Sequence, residues 1–218
     1  TEKDMDLFYE AMGEKRCASI QLAVMDMWKP FRKSTQNHSP NVRIVFDKFH
    51  IMKHLSEALD EVRRSEYKRA SEKDKRFIKG QRYTLLSHKS NLDVKGQEAL
   101  EMLLKANKRL NKAYLLKESF GQLWDYSNPT WARKFFDNWK SQLRWQRLPS
   151  FEKFAQLIEN HWEGIISYCH PDHKVSLGFM EGLNNKIRLI QRRAYGIRDK
   201  EYLMLKVVTS FIQDKKVP

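Results

Sequence analysis

Ser19-Ile20-Gln21-Leu22-Ala23-Val24-Met25-Asp26 is the stretch that decides the fold. An apolar run of buried character closed by a carboxylate reads as a β-strand with Asp26 at its C-terminal end. Working outward, residues 28–36 carry a helical pattern, and Val42-Arg43-Ile44-Val45-Phe46 reads as a second strand that also ends in an acid, Asp47. Strand, short helix and strand at this spacing predict a βαβ unit with a compact crossover. In open α/β sheets the functional groups collect beyond the carboxyl ends of the strands. The structural alternative for either Asp is an N-cap on the helix that follows, which needs no chemistry.

Either side of this unit the pattern is helical. Residues 3–13 read as a short helix. From Phe49 to about Tyr168 helices follow one another, beginning with a long one on which Met52, Leu55, Leu59 and Val62 share a face and which ends near Ala70. Ser71 with Asp74 predicts the next start, and Asn128-Pro129 and Leu148-Pro149-Ser150 punctuate later ones. Trp124, Trp131, Trp139, Trp145 and Trp162 all fall in this stretch and are expected mostly as packing anchors. Residues 63–82 hold nine Lys/Arg against three acids, and Lys105, Lys108, Arg109 and Lys112 have the spacing of one helical stripe. Either feature fits a phosphate backbone or a solvated face.

Composition narrows the class. In 218 residues, 41 Lys+Arg against 27 Asp+Glu give a formal charge of +14, which favours a polyanionic partner, nucleic acid first. The two cysteines, Cys17 and Cys169, imply neither a disulfide framework nor a zinc site, so a reducing cytoplasm is the expected compartment. No apolar run is long enough for a membrane span, and no interfacial helix stands out.

Glu181 opens Glu181-Gly182-Leu183-Asn184-Asn185-Lys186-Ile187-Arg188. At about 100° per residue, Leu183, Ile187, Ile190 and Ala194 share one sector, while Glu181, Asn185, Arg188 and Arg192 lie roughly opposite. From Gly182 through Arg198 there are five cations and no acid. A lone Glu at the head of a basic helix either favours the helix N-terminus and pairs with Arg188, or holds a cation while the arginines grip a phosphate backbone. Gly196 reads as the residue that ends this helix, and a final helix follows it.

Several stretches together carry a resemblance. Met25-Asp26-Met27-Trp28-Lys29-Pro30-Phe31, Arg43-Ile44-Val45-Phe46-Asp47-Lys48-Phe49-His50, Leu115-Leu116-Lys117-Glu118, and residues 181–187 followed by Arg192-Arg193-Ala194-Tyr195-Gly196 extend over nearly the whole chain. In that order they resemble the C-terminal part of the catalytic region of ISL-three family insertion-sequence transposases. The resemblance implies an α/β fold: a partial ribonuclease-H-like core interrupted by a large α-helical insertion, predominantly helical overall. It divides the chain into core (1–50), insertion (51–170) and C-terminal core helices (171–218). It also implies a DDE-type site using two divalent cations, Mg²⁺ or Mn²⁺, for metal-dependent DNA strand cleavage and transfer. Asp26 matches the second acid and Glu181 the terminal Glu, both as catalytic metal ligands. Asp47 and His50 match a supporting Asp-x-x-His arrangement. Lys186, Arg188, Arg192, Arg193 and Asn185 are the expected DNA contacts, and the implied partners are transposon ends, target DNA and, in the complete protein, further copies of the chain. The implied setting is the bacterial cytoplasm, acting on the nucleoid.

The family's first Asp belongs on an earlier strand, upstream of Thr1. Asp4 and Asp6 precede Asp26 but lie in a helical pattern, so neither is expected to replace it. The chain as written is therefore expected to be inactive alone. The alternative is a non-catalytic DNA-binding remnant or a domesticated transposase fragment.

Overall fold

The computed structural model describes residues 1–173, 178–193, 196 and 199–210, with the side chains of 178–181 outside that description. Two compact units divide it, Thr1–Lys174 and Val175–Pro218.

In the first unit Leu22–Met25 forms β1 and Arg43–Phe46 forms β2. They pair in parallel, in the register Leu22 with Arg43 through Met25 with Phe46. Lys29–His38, α3, makes the crossover between them, so the expected βαβ unit is present. Pro30 in its first turn costs nothing, because those N–H groups have no intrahelical partner. Two helices precede the sheet, Glu2–Met12 (α1) and Glu14–Ala18 (α2). Thr1 and Asp4 form a capping box at the start of α1, which places Asp4 in a cap and Asp6 within the helix. α1 packs on α3 through polar groups: the Tyr9 hydroxyl meets Thr35 Oγ1 at 2.8 Å, Ser34 donates to Asp6, and His38 stacks on Tyr9.

The helical region is organised around α4, Lys48–Arg69, which begins directly after β2. Its face of Ile51, Leu55, Ala58, Leu59 and Val62 is buried, as the helical spacing requires. Val94–Ala106 (α7), Lys108–Phe120 (α8), Pro129–Ser141 (α9) and Pro149–Asn160 (α10) complete the main layers, and α8 and α10 pack against α4. Glu72–Gly80 (α5) and Arg82–Leu86 (α6) connect α4 to α7, and Trp162–Ile166 (α11) returns to β2. One apolar cluster runs from Phe46 through Leu55, Leu110 and Phe120 to Phe136, Trp139 and Phe154. Each such fully buried side chain contributes about 1.5–3 kcal/mol relative to exposure.

Caps fall where the sequence places them. Ser71 accepts from the Asp74 N–H, Asn128 from Thr130 and Trp131, and Pro149 sits in the first turn of α10. One expected feature is not formed. Asn107 ends α7 and caps α8, accepting from the Arg109 and Leu110 N–H groups, so Lys105 stands on a different helix from Lys108, Arg109 and Lys112. The four cations do not make a single stripe, because an Asn side chain that takes two helix-start N–H groups stabilises a break. The tryptophans also divide. Trp124 and Trp139 are buried and Trp162 packs against the core, whereas Trp131 and Trp145 are exposed.

Within the second unit Gly178–Arg193 (α12) packs with Lys200–Thr209 (α13), which Asp199 caps by accepting from the Glu201 and Tyr202 N–H groups. Gly196, at φ +85°, donates to the Gln191 carbonyl at 2.9 Å. That is the left-handed glycine expected after the basic helix.

Candidate metal and nucleic-acid site

Parallel register brings two strand ends side by side. Since Met25 lies opposite Phe46, the next residue on each strand is an acid, Asp26 and Asp47. The two strands end there as the chain turns into helices α3 and α4.

The two carboxylates have different duties. Asp47 is the N-cap of α4: Oδ1 accepts the Phe49 N–H at 2.8 Å, and Oδ2 accepts from His50 Nδ1 at 2.8 Å. Each Asp47 oxygen thus accepts one hydrogen bond, and its side chain is 16% exposed. Asp26 caps nothing, since Trp28 holds the N-cap position of α3. Its Oδ1 accepts the Met27 N–H at 2.6 Å, while Oδ2 stands 3.9 Å from His50 Nε2 in a side chain 44% exposed. Because a carboxylate only accepts, the Asp47 contact places a proton on His50 Nδ1 and turns Nε2 toward Asp26. Asp47, His50 and Asp26 thus form one chain of contacts across the two strand ends.

Asp26 has the chemistry of a hard-cation ligand: an oxygen donor, open to solvent, oriented by a backbone N–H and with an imidazole nearby. No group of three or more His, Cys, Asp or Glu at metal-binding distance occurs among the described residues. The aromatic rings of Trp28 and Phe49, each two residues beyond its Asp, are exposed beside the acids. One turn further along α4, Lys53 and His54 line an open cleft with Arg64, Arg82 and Lys153 and with the acids Glu57, Asp60 and Glu61.

The remaining expected residues lie in the second unit. Glu181 belongs to α12, but its side chain lies outside the described residues. Asn185, Arg188, Arg192 and Arg193 are exposed along α12, whereas Leu183, Ile187 and Ile190 are half-buried, which is the two-faced pattern read from the sequence. Lys186 is half-buried and donates to the Ser210 carbonyl, so it ties α12 to the end of α13. Lys117-Glu118 serves packing: the Lys117 ammonium is buried and donates to the Ser87 carbonyl and the Glu118 carboxylate, each at 3.0 Å. Burial pushes the nearby Tyr114 phenol up to about 12, reinforced by the Glu118 charge.

Sequence reasoning passed over one exposed feature, the turn Arg144-Trp145-Gln146-Arg147 between α9 and α10. Its only signal in sequence is an aromatic flanked by cations, and nothing there marks its unusual backbone.

A family model described as "Transposase", of the ISL-three type, matches residues 1–207. The chain is similar to the transposase for insertion sequence element IS1001 of Bordetella parapertussis, at 34% identity over 94% of the chain and 50% of that relative. It is also similar to the transposase for insertion sequence element IS1557 of Mycobacterium tuberculosis, at 28% identity over 92% of the chain and 50% of that relative. The chain therefore spans about half the length of these curated relatives. No solved structure matches it.

Proposed function

The chain belongs to the ISL-three family of transposases, and from that premise we propose that it carries part of the active site for metal-dependent DNA strand cleavage and transfer. The observation that supports this reading most is Asp26: an open carboxylate at a strand end, not spent on a cap, oriented by the Met27 N–H and with His50 close by. In this reading β1, α3 and β2 belong to a ribonuclease-H-like core. Asp26 and Glu181 are two of its three acids.

Mg²⁺ or Mn²⁺ held by such carboxylates supplies a Lewis acid that lowers the pKa of an attacking hydroxyl and neutralises charge on the phosphodiester. The chain's own residues do the rest. Asp26 would be a ligand of the cation. Asp47 fixes the imidazole ring of His50 beside Asp26, a positioning role of the kind that outer residues play around metal ligands. The exposed guanidiniums of Arg188, Arg192 and Arg193, with Asn185, hold the DNA backbone through charge-assisted hydrogen bonds. Lys53 and Lys153 offer further phosphate contacts beside α4.

The test uses the full-length transposase and a labelled transposon-end duplex in Mg²⁺. Asp26→Asn and Glu181→Gln should each abolish strand cleavage while leaving DNA affinity within about twofold, since only the chemistry loses its ligand. Normal cleavage in either variant would overturn the assignment. A wild-type protein that binds DNA but never cleaves with Mg²⁺ or Mn²⁺ would establish the non-catalytic DNA-binding alternative.

A further inference from the structure

Trp145 is 85% exposed and holds φ at +71°, and Arg147, two residues on, holds +53°. The left-handed region suits glycine or asparagine. A bulky aromatic there is disfavoured by contact between Cβ and its own backbone. A surface tryptophan also leaves a large apolar ring in water. Both costs fall on one residue with no packing return.

The turn is nonetheless firmly built. Leu143 and Leu148 anchor its two ends in the core. Beneath it, Arg109 spans two elements, donating to the Arg147 carbonyl at 2.6 Å and to Glu66 at 3.1 Å. Arg109 Nε and Gln146 Oε1 are buried without hydrogen-bond partners, so internal polar satisfaction does not account for the shape either. Strain held in place by its surroundings, without a structural return, points to use by a ligand.

The surroundings define the ligand's charge. Arg144 stacks over the Trp145 ring at 5.3 Å, and Arg147 is exposed. Lys108 and Lys112 are exposed on the same helix as Arg109. Glu66 is the acid at this point, and Arg109 and Asn107 already occupy its oxygens. An exposed aromatic ring flanked by guanidiniums in a cationic field is the arrangement that stacks a nucleobase while gripping phosphates.

We propose that the Arg144–Arg147 turn is a second DNA contact of the helical region, in which Arg144 and Arg147 meet backbone phosphates and Trp145 stacks on a base. The inference rests on the reading of the protein as a DNA-acting transposase but not on the Asp26 assignment. Its test is fluorescence anisotropy of the full-length protein with a labelled duplex bearing a short unpaired overhang, across a salt series.

Trp145→Gly suits the left-handed backbone, so it should keep or raise the Tm while weakening DNA binding about tenfold. The double variant Arg144→Ala/Arg147→Ala should lower the steepness of the salt dependence by about two phosphate contacts. Unchanged affinity and unchanged salt slope in both variants would overturn the proposal. So would a shift in oligomeric state with DNA affinity intact, which would make the turn a contact between copies of this chain. If Asp26→Asn still cleaves while Trp145→Gly binds poorly, the active-site reading fails and this one stands.

Discussion

His50 Nε2 stands 3.9 Å from Asp26 Oδ2, across the gap between the ends of two parallel strands, while the far side of the same ring is held by Asp47. His50 therefore ties the open acid to the capped one. His50→Ala should reduce metal-dependent cleavage by roughly 10–100-fold, the usual range for residues that orient a metal ligand. DNA affinity should be nearly unchanged. Equal losses in binding and cleavage would show that His50 acts on the DNA itself.

Gly164 on α11 has no room for a side chain, because a Cβ there would enter the ring of Phe46. Phe46 is the last residue of β2, immediately before Asp47. Gly164→Ala is expected to destabilise the first unit by about 1–3 kcal/mol, as overpacking does. Urea denaturation measures it, and wild-type stability would show that the ring moves aside freely.

Asp60 is buried on α4 and receives Arg63 at 2.7 Å, Arg64 at 3.1 Å and Arg82 at 3.6 Å. Arg63 is buried with it, so Asp60→Ala strands a guanidinium in the interior. A loss of about 3 kcal/mol is expected. Arg64→Ala, at the exposed end of the network, should cost well under about 1 kcal/mol.

Asp6 joins α1 to α3, and its carboxyl is held below its ordinary value of 3.8, chiefly by the Ser34 hydroxyl and then by His38, against an opposing effect of burial. A lowered folded-state pKa means this contact stabilises the protein above the ordinary carboxylate range and is lost as pH falls through the folded value. Asp6→Asn should therefore lower the Tm at neutral pH and flatten the acid limb of a Tm-against-pH curve below about pH 4. A parallel acid limb in the variant would remove Asp6 from the linkage.

What the sequence revealed follows from how local each signal is. The strand ends at Asp26 and Asp47, the cap at Ser71 and the Asn128-Pro129 start are written in a few adjacent residues, and the structure bears them out. The break at Asn107 was hidden because the cationic spacing runs through it without interruption. Lys186 looked like its basic neighbours, but its partner is the Ser210 carbonyl on another helix, which spacing cannot show. Trp145 was hardest to read, since its left-handed backbone is imposed by Arg109 and by buried Leu143 and Leu148 rather than by a glycine.

The unbroken helix α4 gives these positions a fixed spacing. It starts at the Asp47 cap and carries Glu66, the brace beneath the Trp145 turn, near its far end. At 1.5 Å per residue the two points are roughly 28 Å apart along the axis. At about 3.4 Å per nucleotide step, that is on the order of eight base pairs. Under the proposed function, α4 would act as a ruler, holding the DNA contact at the turn a fixed distance, on the order of eight base pairs, from the strand ends that carry Asp26 and Asp47.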